Sequence, residues 1–144
     1  DRVAELQSRQ ARFEAEQAEK RDAATRQARE RWIAADPTYT SHPYLEAKGI
    51  RPNGTRLDGA HILVPLHGPD GKIQSLQTID ALGHKLFCSD LPTASGLFVI
   101  GCKIGETTGL VFVCEGFATG AGYLAGFWVK HDVQLLRVIQ QTVF

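Results

Sequence analysis

Little in this chain is in surplus. Lys plus Arg and Asp plus Glu each number 16 in 144 residues, so the formal net charge is zero. That balance argues against a tight, sequence-independent DNA binder, because such proteins draw much of their affinity from a basic excess that neutralises phosphates. Cysteine is scarce: Cys88, Cys102 and Cys114 are odd in number and form no C-x-x-C pair. This argues against a disulfide framework and points to reduced thiols. No apolar run is long enough to span a bilayer, and no charged-then-apolar leader opens the chain. A cytoplasmic protein with no membrane partner is therefore expected. Hydrophobic residues make up 43% and charged residues 22%, enough for the core of one modest domain with an appendage.

The first 35 residues lack glycine and proline altogether and are rich in Ala, Glu, Gln and Arg. These are strong helix formers, and one long helix is predicted over residues 1–36, ended by Asp36-Pro37. Its large apolar residues are few: Val3, Leu6, Phe13, Trp32 and Ile33. Such a thin stripe suits a solvated spacer, a weak self-associating seam, or a docking helix for a partner.

Residues 37–144 are expected to form an α+β domain. Ser41 to Ile50 reads as a short helix, with Ser41 as its cap, Pro43 in its first turn and Gly49 closing it. The period then changes to that of strands. His61–Leu66 and Lys72–Ile79 flank the turn Gly68-Pro69-Asp70-Gly71, and Asp80–Gly83 leads into a short strand at Lys85–Cys88. An antiparallel meander follows from this order. Leu97–Ile100 is a further strand, and Leu110–Cys114 has the unbroken apolar run of a strand buried on both faces. A helix is expected to begin near Gly120. Lys130–Val143 fits helix or strand.

The chemically informative segment is Cys114-Glu115-Gly116-Phe117-Ala118-Thr119-Gly120. A carboxylate just beyond the carboxyl end of a buried strand stands where open α/β sheets place ligands. Glu115 there suits a general base or one oxygen ligand to Mg²⁺. Its commoner role is that of a helix-start residue favoured by the positive end of the helix dipole. Gly116 is expected to allow a sharp turn with room for a ligand.

His42-Pro43-Tyr44-Leu45, Lys48-Gly49-Ile50, Ile62–Leu66, Ser75–Ile79, Lys85-Leu86-Phe87 and Cys114–Gly120 occur in an order and spacing that resemble the DNA primases of plasmids and phages. Those enzymes carry a TOPRIM domain, whose first motif is a Glu-Gly after a hydrophobic strand. The resemblance spans about Arg29 to Gly122. It implies that the last part of the chain opens a TOPRIM-like unit and that Glu115 is the acid implicated in nucleotidyl transfer. It also implies that Mg²⁺ is held by a later Asp-x-Asp pair. Here the sequence departs from the family: Asp132 is the only acid after Glu115, no Asp-x-Asp occurs, and the family's cysteine-rich zinc module is absent. A truncated primase relative is the expectation. It would make primers only as part of a longer enzyme, because one carboxylate poorly replaces a metal-holding cluster.

The scattered His84, Cys88, Cys102 and Cys114 fit no tetrahedral pattern, and no zinc is expected. Lys48, Arg51 and Arg56, with Tyr39 and Tyr44 close by, form the densest basic–aromatic cluster outside the long helix. Lys48, Arg51, Arg56 and Tyr44 are the candidate contacts to single-stranded DNA; ordinary surface charge is the plainer reading. The alternative function is a protein-binding inhibitor or accessory factor of a mobile element, acting on a replication or defence protein. An anti-CRISPR type of counter-defence or replication control would be of this kind.

Overall fold

The computed structural model describes residues 1–88, 96–100, 110–114, 116–122 and 136–141. Helix α1 runs Arg2–Ala34, as its composition predicts. Asp1 caps it, its side chain accepting a hydrogen bond from the Val3 N–H, and Ala35 closes it in extended backbone. Beyond it Asp36 pairs with Leu57 through two backbone hydrogen bonds of 2.8 and 2.9 Å, which starts the chain across the sheet.

Helix α2 is Pro43–Lys48, with Gly49 at φ 63° in the left-handed closing position. Its cap is His42 rather than Ser41. The His42 Nδ1 accepts from the Tyr44 N–H at 3.2 Å, while Nε2 lies 2.9 Å from the Ala60 carbonyl. Ser41 hydrogen-bonds Glu46 instead. An imidazole with both nitrogens engaged can be buried at little cost, and His42 is 5% exposed.

The strands are β1 (Arg56–Asp58), β2 (His61–His67), β3 (Ile73–Ile79), β4 (Lys85–Phe87), β5 (Leu97–Ile100), β6 (Leu110–Cys114) and β7 (Leu136–Gln141). Among the described residues they make one sheet in the order β4-β3-β2-β5-β7-β6, with β1 also on β2. The β2–β3–β4 portion is the antiparallel meander expected from the two turns. Pro65 sits inside β2 yet breaks nothing there. On the edge away from β3, β1 pairs only as far as Leu63 and β5 pairs first at His67, so Pro65 faces the gap between them. The segment whose period left helix and strand open is strand β7, parallel to β6 and antiparallel to β5. Residues 117–122 are helical and follow β6.

The sheet has a core on each face. Ile62, Val64, Leu66 and Ile79 face Tyr39, Tyr44, Leu45, Phe98, Ile100, Phe117 and Ala121. On the opposite face Leu63 and Leu76 take Ala28 of α1 and its closing residue Ala35, with Trp32, Ile73 and Cys88 around them. The architecture is α+β, with the sheet between α1 on one side and α2 and the 117–122 helix on the other. The last two turns of α1 thus share a core with the 37–144 domain. Each fully buried Leu or Ile contributes about 1.5–3 kcal/mol relative to exposure.

Candidate nucleic-acid interface

The predicted basic cluster does not assemble, because the sheet divides it. Leu63 faces α1, and its cross-strand partner Arg56 faces the same way. The Arg56 guanidinium lies over the Trp32 ring, 4.6 Å from its centroid, and Nη1 donates to the Trp32 carbonyl at 2.9 Å. Lys48 and Arg51 lie on the other side, at the exposed end of α2. Tyr44 is 4% exposed and packed in the core, so its ring has no face to offer a base. Its burial also pushes its hydroxyl pKa up. Tyr39 is likewise buried and shares a 2.5 Å hydrogen bond with Thr55. Interleaving aromatics with basic residues in sequence does not make a surface when every aromatic goes into the core.

Around the first motif, Glu115 lies outside the described residues, as do Cys102, His131 and Asp132. Phe117 is fully buried and stacks at a tilt on Phe98, with centroids 6.0 Å apart. Burial raises the pKa of the Cys114 thiol, whose Sγ donates to the Gly116 carbonyl at 3.5 Å. Gly116 is not in the left-handed region, and a Cβ there would stand 3.6 Å from Lys85 Nζ. The space expected for a ligand beside Gly116 thus borders a lysine ammonium, brought there by β4. Lys85 leaves no signal in the sequence around Gly116, from which it is 31 residues away along the chain.

For Mg²⁺ the donor chemistry on hand is thin. No group of three or more His, Cys, Asp or Glu side chains comes together among the described residues. A neutral thiol such as Cys114 is a poor ligand for a hard cation. His84, weighed earlier with the cysteines, is held by Asp80 at 2.9 Å in the β3–β4 turn. Two backbone N–H groups, of Leu82 and His84, also donate to that carboxylate.

A basic–aromatic surface does exist, on the α1 face. A shallow groove of about 420 Å³ is lined by Arg29, Trp32 and Ile33 from α1 and by Lys72 and Ile73 from the start of β3. Arg29 Nε donates to the Ile73 carbonyl at 2.9 Å, which fixes the helix against the strand. Arg29 and Lys72 are exposed and have no ion-pair partner among the described residues. Arg31 does have one, Asp58, at 2.5 Å. Trp32 is half-buried, held on one side by Arg56. The groove therefore presents an indole beside two cations that lack an ion-pair partner among the described residues. Its sequence signal is faint: Arg26, Arg29 and Arg31 belong to the balanced charge of the long helix, and Lys72 opens the predicted strand Lys72–Ile79.

Comparison with protein-family models, with curated proteins and with solved structures finds no match to this chain. No helix among the described residues is long and apolar enough to cross a membrane.

Proposed function

We propose that this chain is a primase-related module that holds single-stranded nucleic acid in the groove between α1 and β3 and does not synthesise primers by itself. The groove carries this reading. Trp32, pinned by Arg56, offers a stacking platform, and Arg29 and Lys72 supply the charge for flanking phosphates. An indole already fixed by cation–π contact loses little freedom when a base stacks on it. The neutral overall charge fits a local grip better than a broad electrostatic footprint. The primase relationship is supported by the motif order and by the run of β6, the 117–122 helix and the parallel strand β7, an arrangement in keeping with the start of a TOPRIM-like unit. In such a unit Glu115 would be the first-motif acid, with Lys85 nearby to meet a nucleotide phosphate.

Fluorescence anisotropy of a labelled single-stranded oligonucleotide, titrated at low and moderate salt, tests the reading. The expected result is saturable binding that weakens with salt. Lys72→Glu, on an exposed turn, should weaken it about tenfold and lower the salt slope by about one. Trp32→Ala should cost a further ~1–3 kcal/mol of binding from lost stacking. Lys48→Glu with Arg51→Glu should change little. Absence of binding at low salt, or a loss that follows Lys48 and Arg51 instead, would overturn it. The first of these outcomes would turn attention to a protein partner.

A further inference from the structure

The N-terminal stretch of α1 carries an apolar stripe that the rest of the molecule does not cover. Val3, Leu6 and Phe13 are all more than half exposed, and Phe13 is 61% exposed. This stripe lies on the same helix face that docks further along. Leu6 and Gln10 precede Ala24 and Ala28 by eighteen residues each, which is five turns at about 3.6 residues per turn. The docked face and the free face are therefore one seam, of which the sheet covers only the last part.

We propose that residues 3–20 of α1 pair antiparallel with the same residues of a second copy of this chain. The seam has coiled-coil spacing: Val3, Gln10 and Gln17 alternate with Leu6, Phe13 and Lys20 at steps of three and four. A parallel partner in register would have to continue along the face where Ala28 and Ala35 already meet Leu63 and Leu76. An antiparallel partner ends before that point and leaves the two bodies at opposite ends of the pair.

Charge selects one antiparallel register. With Leu6 opposite the other copy's Gln17, and Phe13 opposite its Gln10, Arg9 meets the other copy's Glu16 twice by symmetry. Sliding one way by a heptad sets Glu14 against Glu14 and Glu16 against Glu16, and sliding the other way sets Arg9 against Arg9. Sliding that second way also sets Arg2 against Glu16, but only the first register combines opposite charges on its flanks with no like-charge pair. Lys20 then lies over Val3 at each end, where its stem can cover the valine and its ammonium can reach water. The buried area is small and the core holds two glutamines from each copy, so a weak, reversible dimer follows, with a dissociation constant on the order of 10–100 µM.

Sedimentation equilibrium of the full chain tests this, with circular dichroism to confirm that each variant keeps its helix. A concentration-dependent dimer is expected, and Leu6→Glu with Phe13→Glu should abolish it. Arg9→Glu or Glu16→Arg alone should each weaken the dimer about tenfold, since two attractive pairs become two repulsive ones. The double reversal should restore it. In a parallel pair Arg9 faces Glu14 and Glu16 faces Arg21, so the double reversal would add repulsions and restore nothing. A chain that stays monomeric up to ~300 µM overturns the proposal. So does a dimer indifferent to Leu6 and Phe13, or one not restored by the double reversal.

Discussion

Helix α1 is one continuous element with two different environments. Up to about Ala18 nearly every residue is exposed, including Leu6 and Phe13. Ten residues on, Ala28 is 4% exposed and Ala35 5%, seated on Leu63 and Leu76. Propensity is alike in both stretches, and neither contains glycine or proline. The residues seated on the sheet are small, Ala28 and Ala35, with Trp32 packed at their margin, whereas Leu6 and Phe13 stand in the free stretch. Burial is thus decided by fit: alanine lets the helix backbone approach the sheet, and Trp32 and Arg29 fasten its margin by packing on the core and hydrogen-bonding Ile73. Phe13 stays exposed because no sheet lies beneath it.

This contrast can be broken most severely from the sheet side. Leu63→Ala removes the residue under Ala28 and Ala35 and should cost about 2–5 kcal/mol in a urea melt. Helical signal from the first stretch should persist in part after the docked stretch is released. A smaller and more selective effect comes from enlarging the seam. Ala28→Leu should cost about 1–3 kcal/mol through overpacking, whereas Ala18→Leu should stay within about 0.5 kcal/mol. Equal costs at the two positions would mean that α1 is not seated as described.

The smallest effect is one of pH. His67 joins β2 to β5, with Nδ1 lying 3.3 Å from the Leu97 carbonyl, and it pairs with Ile73 below the docked helix. Burial holds its pKa below the ordinary value, opposed in part by that hydrogen bond. The unfolded chain has its histidine pKa near 6.5. As pH falls from about 6.5 towards the lower folded value, the unfolded state takes up a proton that the folded state excludes. Stability should therefore drop through that window and level off below it. Urea melts at about pH 7.5, 6 and 5 should show this slope in the parent chain and a shallower one in His67→Gln. An unchanged slope would assign it to other groups.

Much of the architecture was legible because its causes are local. The Gly68–Gly71 and Asp80–Gly83 turns announced the meander, and Gly49 announced the end of α2. The cap of α2 differs from the expected Ser41 because His42 becomes the better cap only when its other nitrogen reaches Ala60, 18 residues away in sequence. The candidate site was less legible. Tyr44 and Arg56 were grouped with Lys48 and Arg51 on proximity in sequence, and the two faces of the sheet separated them. Arg29, Trp32 and Lys72 meet only because α1 crosses the start of β3.

The sequence by itself determined that a long helix forms, where it stops, and which segments alternate as strands. Propensity, proline, turn glycines and apolar period act over a few residues, and a chain carries them wherever it folds. Only the tertiary structure decided which part of the helix is buried, which aromatic remains available, and that the last described segment is a strand. Each of these depends on which groups the sheet brings together from distant points of the chain, and a side chain's worth as core, clamp or contact is fixed by that neighbour and not by its own chemistry.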